Sequence, residues 1–131
     1  MIKEDKVIVC DIDNTITSES SETTDYRSLP VAIPVKNKLI ELKSKGYWII
    51  LFTSRGMRSS EGNTGVLIKN VAPLLFDWLE DNEIPYDEIH FGKPWCGRNG
   101  FYVDDRAIRP KEFVENSVEN ILQIIERDKK V

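Results

Sequence analysis

The apolar and polar positions alternate between short continuous apolar runs and longer stretches with helical spacing. Val7-Ile-Val-Cys10 and Trp48-Ile-Ile-Leu-Phe52 are apolar throughout, which predicts strands covered on both faces, as in a parallel sheet flanked by helices. Between them Val35, Leu39 and Leu42 recur on one helical face, with Ile40 on its shoulder, predicting a helix over 35–45. Pro34 suits its first turn, Lys43 and Lys45 its C-terminal end, and Gly46 its left-handed cap. Leu74, Leu75, Trp78 and Leu79 predict a second helix over 71–82, capped by Asn70 so that Pro73 falls in the first turn. A short strand over 88–91 follows, then a glycine-containing loop and a fourth strand, Phe101-Tyr-Val103. Ser117 caps a last helix over 118–129 with Ile121, Leu122, Ile124 and Ile125 inward. Strands alternating with helices predict an α/β class, a single three-layer doubly wound domain over residues 1–131 with a mainly parallel sheet. Its ligands belong beyond the carboxyl ends of the strands.

Length and charge narrow this picture. The chain has 131 residues, 40% hydrophobic and 31% charged, enough for one core and too apolar for a disordered chain. No apolar run reaches the ~20 residues of a membrane span, and the N-terminus carries no apolar signal segment, so a cytoplasmic location and no membrane partner are expected. The net charge of −4 argues against a general nucleic-acid binder. The two cysteines, Cys10 and Cys96, make neither a disulfide framework nor a zinc quartet. The hydroxyl- and acid-rich run from Thr15 to Thr24 reads as a surface loop.

The candidate chemistry sits at the strand ends. The first strand ends in Asp11-Ile-Asp13-Asn14-Thr15, the second in Thr53-Ser54-Arg55; Lys93 follows the third, and the fourth ends in Asp104-Asp105. Carboxylates brought together there repel one another, and a hard divalent cation with oxygen ligands, magnesium, resolves the repulsion. Taken singly, each piece has a plainer reading: a solvated acidic turn, a strand-ending threonine, a surface lysine. Their succession after apolar strands, in order, is harder to obtain by chance.

These residues resemble the haloacid dehalogenase-like hydrolases. Asp11-Ile-Asp-Asn-Thr15 matches the nucleophile motif Asp-x-Asp-x-Thr of that superfamily, Thr53 its second motif, Lys93-Pro94 its third and Asp104-Asp105 its fourth. More narrowly, 84–89, Gly92-Lys-Pro-Trp-Cys-Gly97 and Gly100-Phe-Tyr-Val-Asp-Asp-Arg106 look like bacterial capsule-biosynthesis phosphatases. The resemblance implies a magnesium-dependent phosphomonoester hydrolase acting on a small phosphorylated substrate such as a sugar phosphate. Asp11 would be the nucleophile and Asp13 the general acid and base. Asp11, Asp104 and the Asp13 carbonyl would ligate magnesium. Thr53 and Lys93 would hold the transferring phosphoryl group. Asp105 would reach the metal through water or hold Lys93; both remain open. An acid at position 13 favours an oxygen leaving group, which needs a proton, over a halide, which does not.

Asn14, Ser54, Arg55 and Arg58 are expected on the substrate side, the two arginines as phosphate clamps, with Trp95 and Arg98 at the mouth. An ordinary solvated loop explains Arg55 and Arg58 equally well, and Trp95 equally suits packing on a neighbouring loop. His90, lying within the third strand, reads as structural. Neither the 16–33 stretch nor the 54–92 stretch has room for a cap domain of ~50 residues. Residues 16–33 acting as a short flap, or a second subunit in a homo-oligomer, would then cover the site; the flap is the more economical. A receiver domain uses similar groups, but places adjacent acids after its first strand and its phosphorylated Asp after its third, whereas this chain has spaced acids first and adjacent acids last. A non-catalytic phosphate-binding module would not require every reacting group.

Overall fold

A computed structural model describes residues 6–19 and 26–128. The chain divides into two compact units, Met1–Trp95 and Cys96–Val131. The first is a Rossmann-like α/β arrangement. It contains strand β1 (Val7–Asp11), helix α1 (Ile33–Ser44), strand β2 (Trp48–Thr53), helix α2 (Thr64–Asp81) and strand β3 (Glu88–Phe91). The sheet is parallel, in the order β1-β2-β3. Asp11 stands beside Phe52, and Thr53 beside Phe91, so the polar strand ends finish almost level.

The core follows the predicted faces. Ile49 and Leu51 of β2 are fully buried, as are Leu39 of α1 and Leu75 and Leu79 of α2. Helix α1 takes Pro34 into its first turn and ends where the Tyr47 N–H reaches the Leu42 carbonyl at 3.1 Å, with Gly46 at φ +90. Trp78 is buried, and its indole N–H donates to the Leu29 carbonyl at 2.9 Å, tying α2 to the stretch before α1.

That stretch belongs to residues 16–33, for which a short flap was expected. Its described ends pair antiparallel: Ser18 N–H donates to the Pro30 carbonyl at 2.9 Å and Ala32 N–H to the Ile16 carbonyl at 2.7 Å. Ile16 and Leu29 are buried beneath this stem, and Tyr26–Ser28 form a 3-10 turn. Residues 20–25, which include half of the hydroxyl-rich run, lie outside the described residues.

Three expectations are corrected in the first unit and its sheet. Helix α2 begins at Thr64, not near 71, because Asn63 accepts the Val66 N–H on its side chain at 3.1 Å. Pro73 therefore lies inside the helix, on an exposed position. Burial of Leu67, Val71, Leu75 and Trp78 along the opposite face outweighs the ~3 kcal/mol that an interior proline costs. Strand β1 is not covered on both faces, since Val9 is 61% exposed at the edge of the sheet. No fourth strand forms among the described residues: Phe101, Tyr102 and Val103 are exposed and outside any ladder.

The second unit holds helices α3 (Pro110–Glu115) and α4 (Val118–Asp128). The sequence did not predict α3; Glu112 supports it by accepting the Arg109 N–H at 3.0 Å. Ser117 caps α4 as expected, through the Asn120 N–H at 3.2 Å. Of the four expected inward positions Ile121 is buried, Ile124 and Ile125 are half-buried, and Leu122 is exposed.

Candidate active site

The site grows from the turn that ends β1. The Ile12 carbonyl accepts N–H groups from Thr15, Ile16 and Thr17 at 3.2, 2.9 and 3.1 Å. Closing this turn requires a left-handed residue, and Asn14 takes it at φ 61, a conformation that asparagine tolerates. Thr17, itself buried, accepts the Asn14 N–H on its hydroxyl at 2.9 Å and donates to the Glu19 carbonyl. With Ile12 fully buried between them, Asp11 and Asp13 both reach the partly open edge.

Lys93 meets Asp11 from the far side of the sheet. Gly92 takes φ +87 after β3, and this lets the Lys93 N–H bond the Thr53 carbonyl at 3.1 Å. The Lys93 ammonium then donates to Asp11 Oδ1 at 3.4 Å and lies 5.9 Å from the centre of the Phe52 ring. The Thr15 hydroxyl donates to Asp11 Oδ2 at 3.3 Å. Burial pushes the Asp11 carboxyl above its ordinary value; Lys93 pulls it back and the Asp13 charge adds to the rise. The neighbouring Cys10 thiol is pushed up to about 12 by burial and by Asp11, which makes it an inert core group, as its strand position suggested.

Asp13 is held differently. Arg55 Nη2 donates to Asp13 Oδ1 at 2.7 Å, and Nε contacts Oδ1 and Oδ2 at 3.2 and 3.3 Å. The Thr53 hydroxyl lies 3.4 Å from Asp13 Oδ2 and accepts the Arg55 N–H at 3.0 Å. Arg55 was expected on an open loop as a phosphate clamp. Its side chain is instead only 2% exposed and directed at Asp13. Gly56 makes this possible: it adopts φ +81, and a Cβ there would stand 2.8 Å from Val71 Cγ2.

The other expected substrate contacts are more open. Asn14 is exposed and Ser54 half-buried. Arg58 and Trp95 engage each other, with the guanidinium 5.4 Å from the ring centre and Trp95 42% exposed. His90, exposed at the surface, contacts Glu88 at 3.0 Å. Arg98, Asp104 and Asp105 belong to the second unit and are exposed; Asp104 Oδ1 accepts the Arg106 N–H at 2.8 Å in a local turn.

The oxygen donors of Asp11 suit a hard cation. Among the described residues no group of three or more His, Cys, Asp or Glu side chains is placed to hold a metal ion. Asp13 pairs with Arg55 and Asp11 with Lys93, so each of these two carboxylates has a cationic side chain beside it. Arg55 as a partner of Asp13 was missed; the signal available was an arginine two positions beyond the strand-ending Thr53.

No known family profile matches the chain, and no curated protein matches it. Among solved structures, the chain is similar to a protein from Vibrio cholerae described only as an MCSG target. The two are 42% identical and superpose with a TM-score of 0.89, over 95% of this chain and 99% of that one. No helix among the described residues is long and apolar enough to cross a membrane. With identity this high over nearly the full length of both, the chain belongs to the same family as the Vibrio cholerae protein.

Proposed function

We propose that the protein is a magnesium-dependent phosphomonoester hydrolase of the haloacid dehalogenase-like type, working through an aspartyl-phosphate. The observation that carries this reading is the pairing of Asp11 with Lys93 at 3.4 Å, beside a second acid, Asp13, on the same turn. A half-buried carboxylate with raised basicity and one ammonium partner can attack an electrophile while the ammonium neutralises the phosphoryl oxygens.

In this reading Asp11 attacks phosphorus, the bond to the ester oxygen breaks, and Asp13 gives its proton to the departing alkoxide. Water then attacks the aspartyl-phosphate, giving its proton to Asp13 and releasing inorganic phosphate, so both acids return to their starting states. Lys93 holds the phosphoryl oxygens, while the fully buried Thr53 hydroxyl acts through Asp13 and the Arg55 N–H. Asp11 and the Asp13 carbonyl would hold magnesium, which would supply charge to screen Asp11 from the substrate dianion.

The narrower resemblance points to sugar phosphates as the substrate class. The test is phosphate release from a panel of phosphorylated metabolites with magnesium, repeated after chelation. Release that stops on chelation and returns with magnesium is expected. Folded protein that releases no phosphate from any member of the panel contradicts the reading.

A further inference from the structure

Three features stand outside the roles assigned above: the Arg55–Asp13 ion pair, the Arg58–Trp95 stack, and the Lys43–Asp87 pair with Glu88 and Trp48. The last two lie on the surface or brace strand starts. The first is buried and points into the site.

We propose that Arg55 is a positioning residue for Asp13: it fixes the carboxyl rotamer that delivers the proton to the leaving oxygen, and it does not bind substrate phosphate. This rests on the phosphatase reading. The geometry is that of a clamp. An arginine side chain only 2% exposed has little surface left for an incoming anion, while its fork reaches both oxygens of one carboxylate. The clamp is itself anchored, because the Arg55 N–H is tied to the Thr53 hydroxyl and that hydroxyl lies within 3.4 Å of Asp13 Oδ2. Gly56 lets the backbone fold in close behind it, against Val71. Thr53 at the end of β2, with Arg55 and Gly56 in the turn that follows, thus serves the orientation of one acid on the turn after β1.

Positioning of a general acid has a signature that simple loss of structure lacks: it matters in proportion to how badly the leaving group needs a proton. An aryl phosphate with an acidic phenol leaves unaided, whereas an alkyl phosphate does not. The value of kcat/KM reports only steps through the first irreversible one, so it isolates Asp13 acting as acid from Asp13 acting as base on the phosphoenzyme.

The experiment measures kcat/KM of full-length wild type, Arg55→Gln, Arg55→Lys and Asp13→Asn with p-nitrophenyl phosphate and with β-glycerophosphate, in magnesium. Arg55→Gln should lose on the order of 10²-fold on β-glycerophosphate and less than about tenfold on p-nitrophenyl phosphate, in the pattern of Asp13→Asn. Arg55→Lys should recover part of the loss on the alkyl ester, since it keeps the charge without the fork. If Arg55→Gln does not fold, Arg55→Lys alone carries the comparison. Equal losses on the two esters would overturn the proposal, as would a loss expressed mainly in KM. A wild-type protein active on the aryl ester alone also overturns it. A folded wild type inactive on both esters and on the wider panel contradicts the phosphatase reading itself.

Discussion

The two ends of the same three-stranded sheet both carry buried or half-buried carboxylates, and they treat them in opposite ways. At the start of the strands Asp87 accepts the Ile49 N–H at 2.8 Å and pairs with Lys43, while Glu88 accepts the Trp48 indole N–H at 2.6 Å. Burial opposes the Asp87 charge, but the Ile49 N–H and Lys43 outweigh it and hold the carboxyl below its ordinary value. At the finish of the strands burial dominates at Asp11, and its carboxyl is raised. Asp87, held by a backbone N–H at 2.8 Å and by Lys43, is a brace. Asp11, with only the longer contacts from Lys93 at 3.4 Å and Thr15 at 3.3 Å, keeps basicity that chemistry can use.

The comparison predicts effects of graded size. Asp11→Asn should abolish phosphate release, because an amide neither attacks phosphorus nor ligates a hard cation well; turnover near that of wild type would break the contrast. Its stability should move the other way. A carboxyl raised in the folded state binds more protons there than in the unfolded chain, so stability falls as pH climbs from the ordinary value of 3.8 through the raised one. Denaturation at neutral pH should therefore find Asp11→Asn at least as stable as wild type. Asp13→Asn should slow turnover by roughly 10²–10⁴-fold, measured on an alkyl phosphate.

The brace gives a smaller effect of opposite sign. Asp87→Ala should destabilise by about 1–3 kcal/mol at neutral pH in urea titrations, since it strips a partner from the Ile49 N–H. Because the Asp87 carboxyl is lowered on folding, its contribution is present above the ordinary value of 3.8 and is lost as pH falls through the lowered one. The deficit of the variant should shrink over that acid range. Gly56→Ala forces a side chain into φ +81 and against Val71, and should cost about 1–3 kcal/mol by the same titration. At the bottom of the scale, Val103→Ser should change stability by less than about 0.5 kcal/mol, since that side chain is 89% exposed.

Much of this was legible in the chain. The apolar runs marked β1 and β2, the Val35, Leu39 and Leu42 spacing marked α1, and parallel pairing put Asp11, Asp13, Thr53 and Lys93 at one edge. What local pattern missed depended on partners remote in sequence. Phe101-Tyr-Val103 has strand-forming side chains, yet a strand exists only where a neighbour offers a ladder. The start of α2 was hidden because Pro73 argued for a late beginning, although Asn63 followed by Leu67, Val71 and Leu75 at steps of four was already visible. Arg55 looked like a free loop cation because nothing local shows that a residue 42 positions away will claim its guanidinium.

The claim at the centre of this account is that Asp11 carries the phosphoryl group. Its most direct measurement is rapid acid quench of wild type turning over a phosphomonoester in magnesium, followed by peptide mass mapping. The account predicts one phosphoryl group on the peptide containing Asp11, absent from Asp11→Asn. Turnover with the label on another residue, or with no enzyme-bound phosphoryl group at any quench time, would contradict it.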